Sequence, residues 1–290
     1  MRYYRPTSLS DALAALASEP DAARLLVGGT DLLVALRHRT VSPQLLVDLK
    51  SVPDIRDPIA VDGDRVTFGP TATMAQVAAH PVVREWFPGL VEAAVLVGSV
   101  AIRNRASLIA NSANGSPAAD TSPVLLALGA EVTITSSAGD RTVPLSDFFV
   151  GPRRTRCGPG EIVTAMRVGR PVLGSSSAFE RMTRRRGVDL ATCSIGVVVS
   201  PDGGLVAGLG AVGPTTLLGG PTGAAELSSD RQRERAIDEL LAPATPISDV
   251  RSGAEYRGAM LRVMAGRAVS RAIARRDAAE RTGTGGSNDE

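Results

Sequence analysis

The chain has 290 residues, of which 43% are hydrophobic and 21% charged, and its 32 Lys and Arg against 30 Asp and Glu leave a formal net charge of +2. Such a composition belongs to a globular chain of one or two domains with a sizeable core, and a charge so near balance gives no field to draw it onto nucleic acid or an anionic membrane. The two cysteines, Cys157 and Cys193, lie far apart outside any CxxC pattern, which argues against a zinc site or an iron–sulfur cluster supplied by this chain alone.

In chain order, Ser8-Leu9-Ser10-Asp11 ahead of an Ala/Leu run predicts a capped helix, because the Ser hydroxyl and Asp carboxylate can satisfy free backbone N–H groups. A strand is expected at Arg24–Val27, then the turn Gly28-Gly29-Thr30-Asp31, a short helix and a second strand at Leu45–Leu49. This is a βαβ-like unit ending near residue 56. A second region, 57–172, opens with the turn-rich Val61-Asp62-Gly63-Asp64 and a strand at Arg65–Phe68. It continues with a helix from Thr73 through Ala79, a helix at Thr121–Leu128, and strands at Ala130–Thr135 and Glu161–Val168. Between Gly98 and Pro123 it is crowded with Asn, Ser, Gly and Ala, and its poverty in large apolar residues argues against a role in core packing. A third region, 173–278, reads as strands at Phe179–Thr183, Thr192–Ser200 and Leu205–Val212, then helices at Glu226–Leu241 and from about Val250 to Arg276. Residues 279–290 read as a disordered tail.

Two segments carry chemistry. In Val27-Gly28-Gly29-Thr30-Asp31 two glycines stand where a strand becomes a helix, so backbone N–H groups can approach an anion with no Cβ in the way; a pyrophosphate suits this, although paired glycines also make structural turns. The run Ile102-Arg103-Asn104-Arg105-Ala106-Ser107-Leu108-Ile109-Ala110-Asn111 leads to Ser116-Pro117-Ala118-Ala119-Asp120. There Asp120 can take ribose hydroxyls or cap the helix that follows. His38 and His80 stand alone, which weakens hydrolase readings. Lys50 is the only lysine, and we read the dominance of arginine as genome base composition. No uninterrupted apolar run opens the chain or reaches the roughly 20 residues of a membrane span, so a cytoplasmic, reducing setting is expected.

The order GGTDLL, IRNR with SPAAD, FERMTRRRGVDLA, VGPT and ISDVRSGAEYR resembles the FAD-binding medium subunit of molybdenum hydroxylases, the group that includes xanthine dehydrogenase and aerobic carbon monoxide dehydrogenase. The resemblance covers residues 1 to about 278. It implies an α+β fold: a two-subdomain FAD-binding domain of the PCMH type, with subdomains 1–56 and 57–172, and a C-terminal domain, 173–278, with a three-stranded antiparallel sheet and helices. It further implies FAD lying extended between the subdomains. Carried over by motif, Val27, Gly28, Gly29, Thr30 and Asp31 form the first phosphate loop, and Ser107, Leu108, Ile109, Ala110 and Asn111 the second. Asp120 falls at the adenosine ribose, Val163 near the adenine, and Arg181 where relatives usually place a lysine beside the isoalloxazine.

Two departures stand out. Relatives read TLGGN or TIGGN at the second loop, so Ile109 and Ala110 replace two glycines, and any left-handed backbone there would be costly for Ile109. Arg181 keeps the charge of the usual lysine with a different reach. The resemblance implies an electron-transfer subunit, with a large molybdenum-cofactor partner and a small [2Fe–2S] partner, discharging to NAD, oxygen or another acceptor. The departures leave open a stand-alone flavin-dependent oxidase or cyclase, or a flavin-free scaffold.

Overall fold

Three main sheets organise the computed structural model, which describes residues 1–55, 57–223, 227 and 229–284. The N-terminal unit runs β1 (Arg2–Tyr4), α1 (Leu9–Ser18), β2 (Ala23–Leu26), α2 (Leu32–Arg37) and β3 (Leu45–Asp48). Its strands are parallel in the order β1-β3-β2, as chain crossovers through helices dictate. Ser8 caps α1: its Oγ accepts from the Asp11 N–H at 3.0 Å, and the Asp11 carboxylate accepts from the Thr7 N–H at 2.8 Å. Ala12, Leu13 and Leu16 of α1 close on Leu45, Val47 and Leu49, and Ile162, from far along the chain, joins them.

The next unit holds β4 (Ile59–Asp62), β5 (Arg65–Phe68), α3 (Met74–Ala79), α4 (Pro81–Trp86), α5 (Pro88–Leu96), α6 (Val100–Arg103), α7 (Leu108–Ala113) and α8 (Thr121–Ala127). It ends with β6 (Glu131–Ser136), β7 (Gly139–Pro144), α9 (Leu145–Phe148), β8 (Phe149–Gly151), β9 (Arg154–Thr155) and β10 (Ile162–Gly169). Five strands make an antiparallel sheet in the order β4-β5-β10-β6-β7. Helices α4 and α5 escaped the sequence reading because α4, with six residues, is too short to show a period, and α5 is apolar along nearly its whole length and leaves no amphipathic stripe. Strand β7 escaped it because it is a polar, mostly exposed edge. The stretch 98–123 reverses its expectation: Leu108, Ile109, Ala118, Ala119, Thr121 and Ser122 are all buried.

The C-terminal unit comprises β11 (Ser176–Met182), β12 (Cys193–Val199), β13 (Leu205–Gly210), β14 (Leu217–Gly219), α10 (Asp230–Leu241) and α11 (Ala254–Thr284). The sheet has four antiparallel strands, β11-β12-β13-β14, not the expected three. The added strand spans three residues, too few to show an alternating pattern. Helix α11 runs to Thr284, so the expected tail at 279–290 begins as helix, and residues 285–290 lie outside the described residues. Helix α10 starts at Asp230; the expected start, Glu226, also lies outside them. No helix among the described residues is long and apolar enough to cross a membrane.

Strand alternation gives this sheet two different faces. Cys193, Ile195, Val197 and Val199 of β12, with Leu205, Ala207 and Leu209 of β13, pack with α10 and α11 in one core. The opposite face of β12 and β13 carries Gly196, paired with Gly208, and Gly210. Helix α8 lies directly on it. A Cβ at Gly208 would stand 2.0 Å from the Pro123 carbonyl oxygen, and one at Gly196 would stand 2.5 Å from the Val124 nitrogen. On β11 the same alternation sends Glu180 to Arg271 of α11 and Arg181 to Asp120 at the start of α8. Glu92 of α5 locks the assembly: it accepts from the Phe179 N–H at 2.9 Å and from Arg271 at 2.8 Å, and it also pairs with Arg275.

Replacing Gly208 by Ala should therefore push α8 off the sheet and destabilise the protein by about 3 kcal/mol, the upper end for overpacking a core. Thermal denaturation will show a fall of several degrees. Gly223→Ala, where an added Cβ meets nothing within 4 Å, should show none.

Candidate functional site

Ligands of open α/β sheets gather outside the carboxyl ends of the strands, and here β2 ends in the Val27–Asp31 turn before α2. Gly29 has φ +72°, the left-handed region that glycine enters freely. Gly28 sits against the backbone that leads into the second loop: a Cβ there would lie 2.0 Å from the Arg105 carbonyl oxygen. Among the described residues, no protein acceptor takes the N–H groups of Gly28, Gly29, Thr30 or Asp31. The Asp31 carboxylate accepts from the Asn114 side chain, just after α7, at 3.0 Å. The two predicted phosphate loops are thus brought together.

In the second loop Ser107 caps α7, its Oγ accepting from the Ala110 N–H at 3.4 Å. Leu108, Ile109 and Ala110 form the first turn of that helix, and Ile109 is 4% exposed within the core. None of them has a positive φ. The lost glycines therefore leave no backbone strain, because a helical Ile can turn its branched side chain inward. Asn111 accepts from the Thr121 hydroxyl at 2.8 Å, which fixes α7 to α8.

Asp120 and Arg181 meet. Arg181 Nη1 lies 2.7 Å from Asp120 Oδ2, with both side chains largely buried. Asp120 Oδ1 is buried too, and among the described residues it has no hydrogen-bond partner. Burial pushes the Asp120 carboxyl up to about 6, although the guanidinium beside it pulls the other way. The resemblance set these two residues at opposite ends of an extended FAD, whereas the structure joins them at one point. Arg181 also lines an open cleft of about 640 Å3 with Phe179, Thr183, Arg186 and Val188. Val163 sits in β10 at a bulge, 6% exposed, and its neighbour Ile162 packs into the N-terminal core, so β10 passes between the two units.

The loop that follows Arg181 is held by its own contacts. Asp189 accepts from Arg184 at 3.0 Å and from the Leu190 N–H at 3.0 Å, and Arg185 donates to the Val188 carbonyl at 2.9 Å. Asp189 thus holds the loop together, and of Arg184, Arg185 and Arg186 it is Arg186 that lines the cleft. Sequence reasoning missed Glu92, Arg271 and Arg275, whose contacts join residues 179 and 183 positions apart. It also missed Lys50, which lines a small pocket with Gly28 and Arg105.

The row of free N–H groups, the close seat of Gly28 and the unpartnered Asp120 oxygen fit a phosphate- and hydroxyl-bearing dinucleotide. Comparison with known proteins agrees. Residues 1–171 match the family described as the FAD binding domain in molybdopterin dehydrogenase. The chain is similar to the carbon monoxide dehydrogenase medium chain of Afipia carboxidovorans, 34% identical over 281 residues, which cover 94% of this chain and 96% of that one. It is also similar to the nicotine 6-hydroxylase medium subunit of Paenarthrobacter nicotinovorans, 31% identical and covering 95% and 98% of the two chains. The fold matches the crystal structure of cyanide-inactivated Cu,Mo-CO dehydrogenase with a TM-score of 0.89, at 32% identity over 95% of this chain and 98% of that chain. The chain therefore belongs to the FAD-binding medium subunits of the molybdenum hydroxylases, as an FAD-dependent oxidoreductase subunit.

The raised Asp120 carboxyl has a defined pH signature. Between the ordinary value of 3.8 and about 6 the folded state holds a proton that the unfolded chain has released, so this group makes stability fall as pH rises across that window. Its penalty is absent below the window and complete above it. Asp120→Asn removes the titration, so the variant's melting temperature relative to the parent should rise between pH 4 and pH 7. A difference that stays flat over that range contradicts the assignment.

Proposed function

We propose that this subunit relays electrons within a molybdenum hydroxylase, receiving them from [2Fe–2S] clusters of a small partner and passing them to NAD, oxygen or another acceptor. A large partner carries the molybdenum cofactor and oxidises the substrate. The similarity to medium chains over nearly the whole length supports this division of labour. The observation that carries the reading is the meeting of the two loops, Gly28 on the Arg105 carbonyl and Asn114 on Asp31, with backbone donors left free between them.

Bound FAD supplies the conversion between single electrons from clusters and the electron pair that many acceptors take. The chain's own residues hold and orient. We assign Val27 through Asp31 and Ser107 through Asn111 to the pyrophosphate and Val163 to the adenine side. Asp120 and Arg181 are in contact, so they act as one unit, and we assign that unit to the flavin end. Arg181 there lines the large cleft, with Phe179 and Val188 as apolar wall and with Arg186 and Arg271 as further cations beside Glu92 and Glu180. Asp120 orients the Arg181 guanidinium and keeps one buried oxygen to accept a hydrogen bond. A reducing cytoplasm suits the two free thiols, Cys157 and Cys193, which burial lifts to about 11 and so keeps protonated.

The stand-alone reading came from the lost glycines. The helical backbone there accommodates Ile109 and Ala110 without a positive φ, so that departure does not speak against flavin binding.

Purified full-length chain mixed with excess FAD and desalted should retain flavin near one equivalent by visible absorption. Gly29→Val, a β-branched residue at φ +72° facing Leu26 and Leu33 at 3.1 Å, should lose most of it. A parent chain that retains no flavin, alone or with its co-expressed partners, would overturn the reading.

A further inference from the structure

Beside the glycine turn, at the carboxyl ends of β2 and β3, lies a pocket of about 70 Å3 lined by Val27, Gly28, Lys50, Thr71, Asn104 and Arg105, with Thr73 at its edge. That is more than twice the roughly 30 Å3 a water molecule takes in the liquid, and too little for a base or a flavin ring. The residues that line it bring donor-bearing side chains, Lys50, Arg105, Asn104 and two threonines, and the Arg105 carbonyl lies against Gly28. No carboxylate lines it.

Lys50 is held for this position. Its Nζ lies 2.7 Å from Asp48 Oδ1, and Asp48 is buried, accepts the Lys50 backbone N–H at 2.9 Å and also accepts from the Tyr3 hydroxyl. Burial opposes ionisation of Asp48, but Lys50 and Tyr3 outweigh it and keep the carboxyl below its ordinary value. An ammonium has three donors. Asp48 takes one, and the Lys50 side chain, which lines the pocket, remains 33% exposed. Arg105 is exposed and, among the described residues, its guanidinium has no partner. With Asp48 neutralising Lys50, the pocket keeps one uncompensated positive charge against the row of free N–H groups at Gly28.

We propose that Lys50 and Arg105 bind a phosphate of the dinucleotide. Lys50 acts as a cation fixed in place by Asp48, and Arg105 as the free charge. The inference rests on the flavin-binding reading above and extends it to two residues outside both glycine-type loops. It also gives the chain's only lysine a position that arginine's planar fork does not match, since an ammonium can serve Asp48 and a phosphate from one compact centre.

The test is equilibrium binding to the full-length apo chain. FAD is followed by quenching of its fluorescence, and ADP and adenosine by competition. Lys50→Gln and Arg105→Gln should each weaken FAD and ADP about tenfold, the effect of one charge-assisted hydrogen bond. Adenosine affinity should hold, and the salt dependence of FAD binding should become shallower. Lys50→Arg should recover part of the loss. Arg105 is exposed and unbonded, so its variant stays informative even if Lys50→Gln misfolds around the stranded Asp48. Unchanged FAD affinity and salt dependence in Arg105→Gln overturns the proposal while the flavin reading stands, and an equal loss of adenosine overturns it as a mere disturbance of the fold. A parent chain that binds neither FAD nor ADP overturns both.

Discussion

The arrangement turns on two glycines facing one helix. Gly196 and Gly208, paired across β12 and β13, put no side chain of their own toward α8, so the backbone of Pro123 and Val124 rests on the backbone of the sheet. That contact sets the height of α8 and hence the position of Asp120 at its start. Arg181 comes from the same sheet, so its distance from Asp120 is set through the same contact. The ion pair at the site is thus governed by a packing contact that contains no functional group.

Seen this way, the small residues between 98 and 123 serve two ends. Ser112 and Ser122 approach each other at 3.5 Å between α7 and α8, and Thr121 bonds Asn111. Larger side chains would hold these helices apart and carry the second loop away from Gly28. Poverty in large apolar residues was read as a mark of function over packing, but close packing was the means by which these residues build the site.

What was legible in the sequence was local. The Ser8 cap, the glycine turn, the helix behind Asp120 and the long strands all depend on residues within a few positions of one another. The pairing of Asp120 with Arg181, 61 residues apart, had no local sign, nor did the Glu92 cluster that reaches Arg271 and Arg275. Helix α4 was missed because six residues are too few to show a period, and α5 because a nearly all-apolar helix lacks a polar face to reveal one. Resemblance supplied the candidate site residues, but it placed Asp120 and Arg181 apart, since a motif carries roles and no distances.

The N-terminal unit is joined to the rest lightly. Ile162 enters its core, Gly28 rests on the Arg105 carbonyl, and Asn114 holds Asp31. By contrast the C-terminal sheet is fastened to α5, α8 and α11 by close backbone contact and a web of ion pairs. A ligand held between a heavy block and a lightly tethered flap is thermodynamically linked to the angle between them. A neighbouring subunit that held that angle at the value the ligand favours would tighten the ligand, and by reciprocity the ligand would favour that subunit's docking to the same degree. Cofactor loading and complex assembly are then two readings of a single equilibrium.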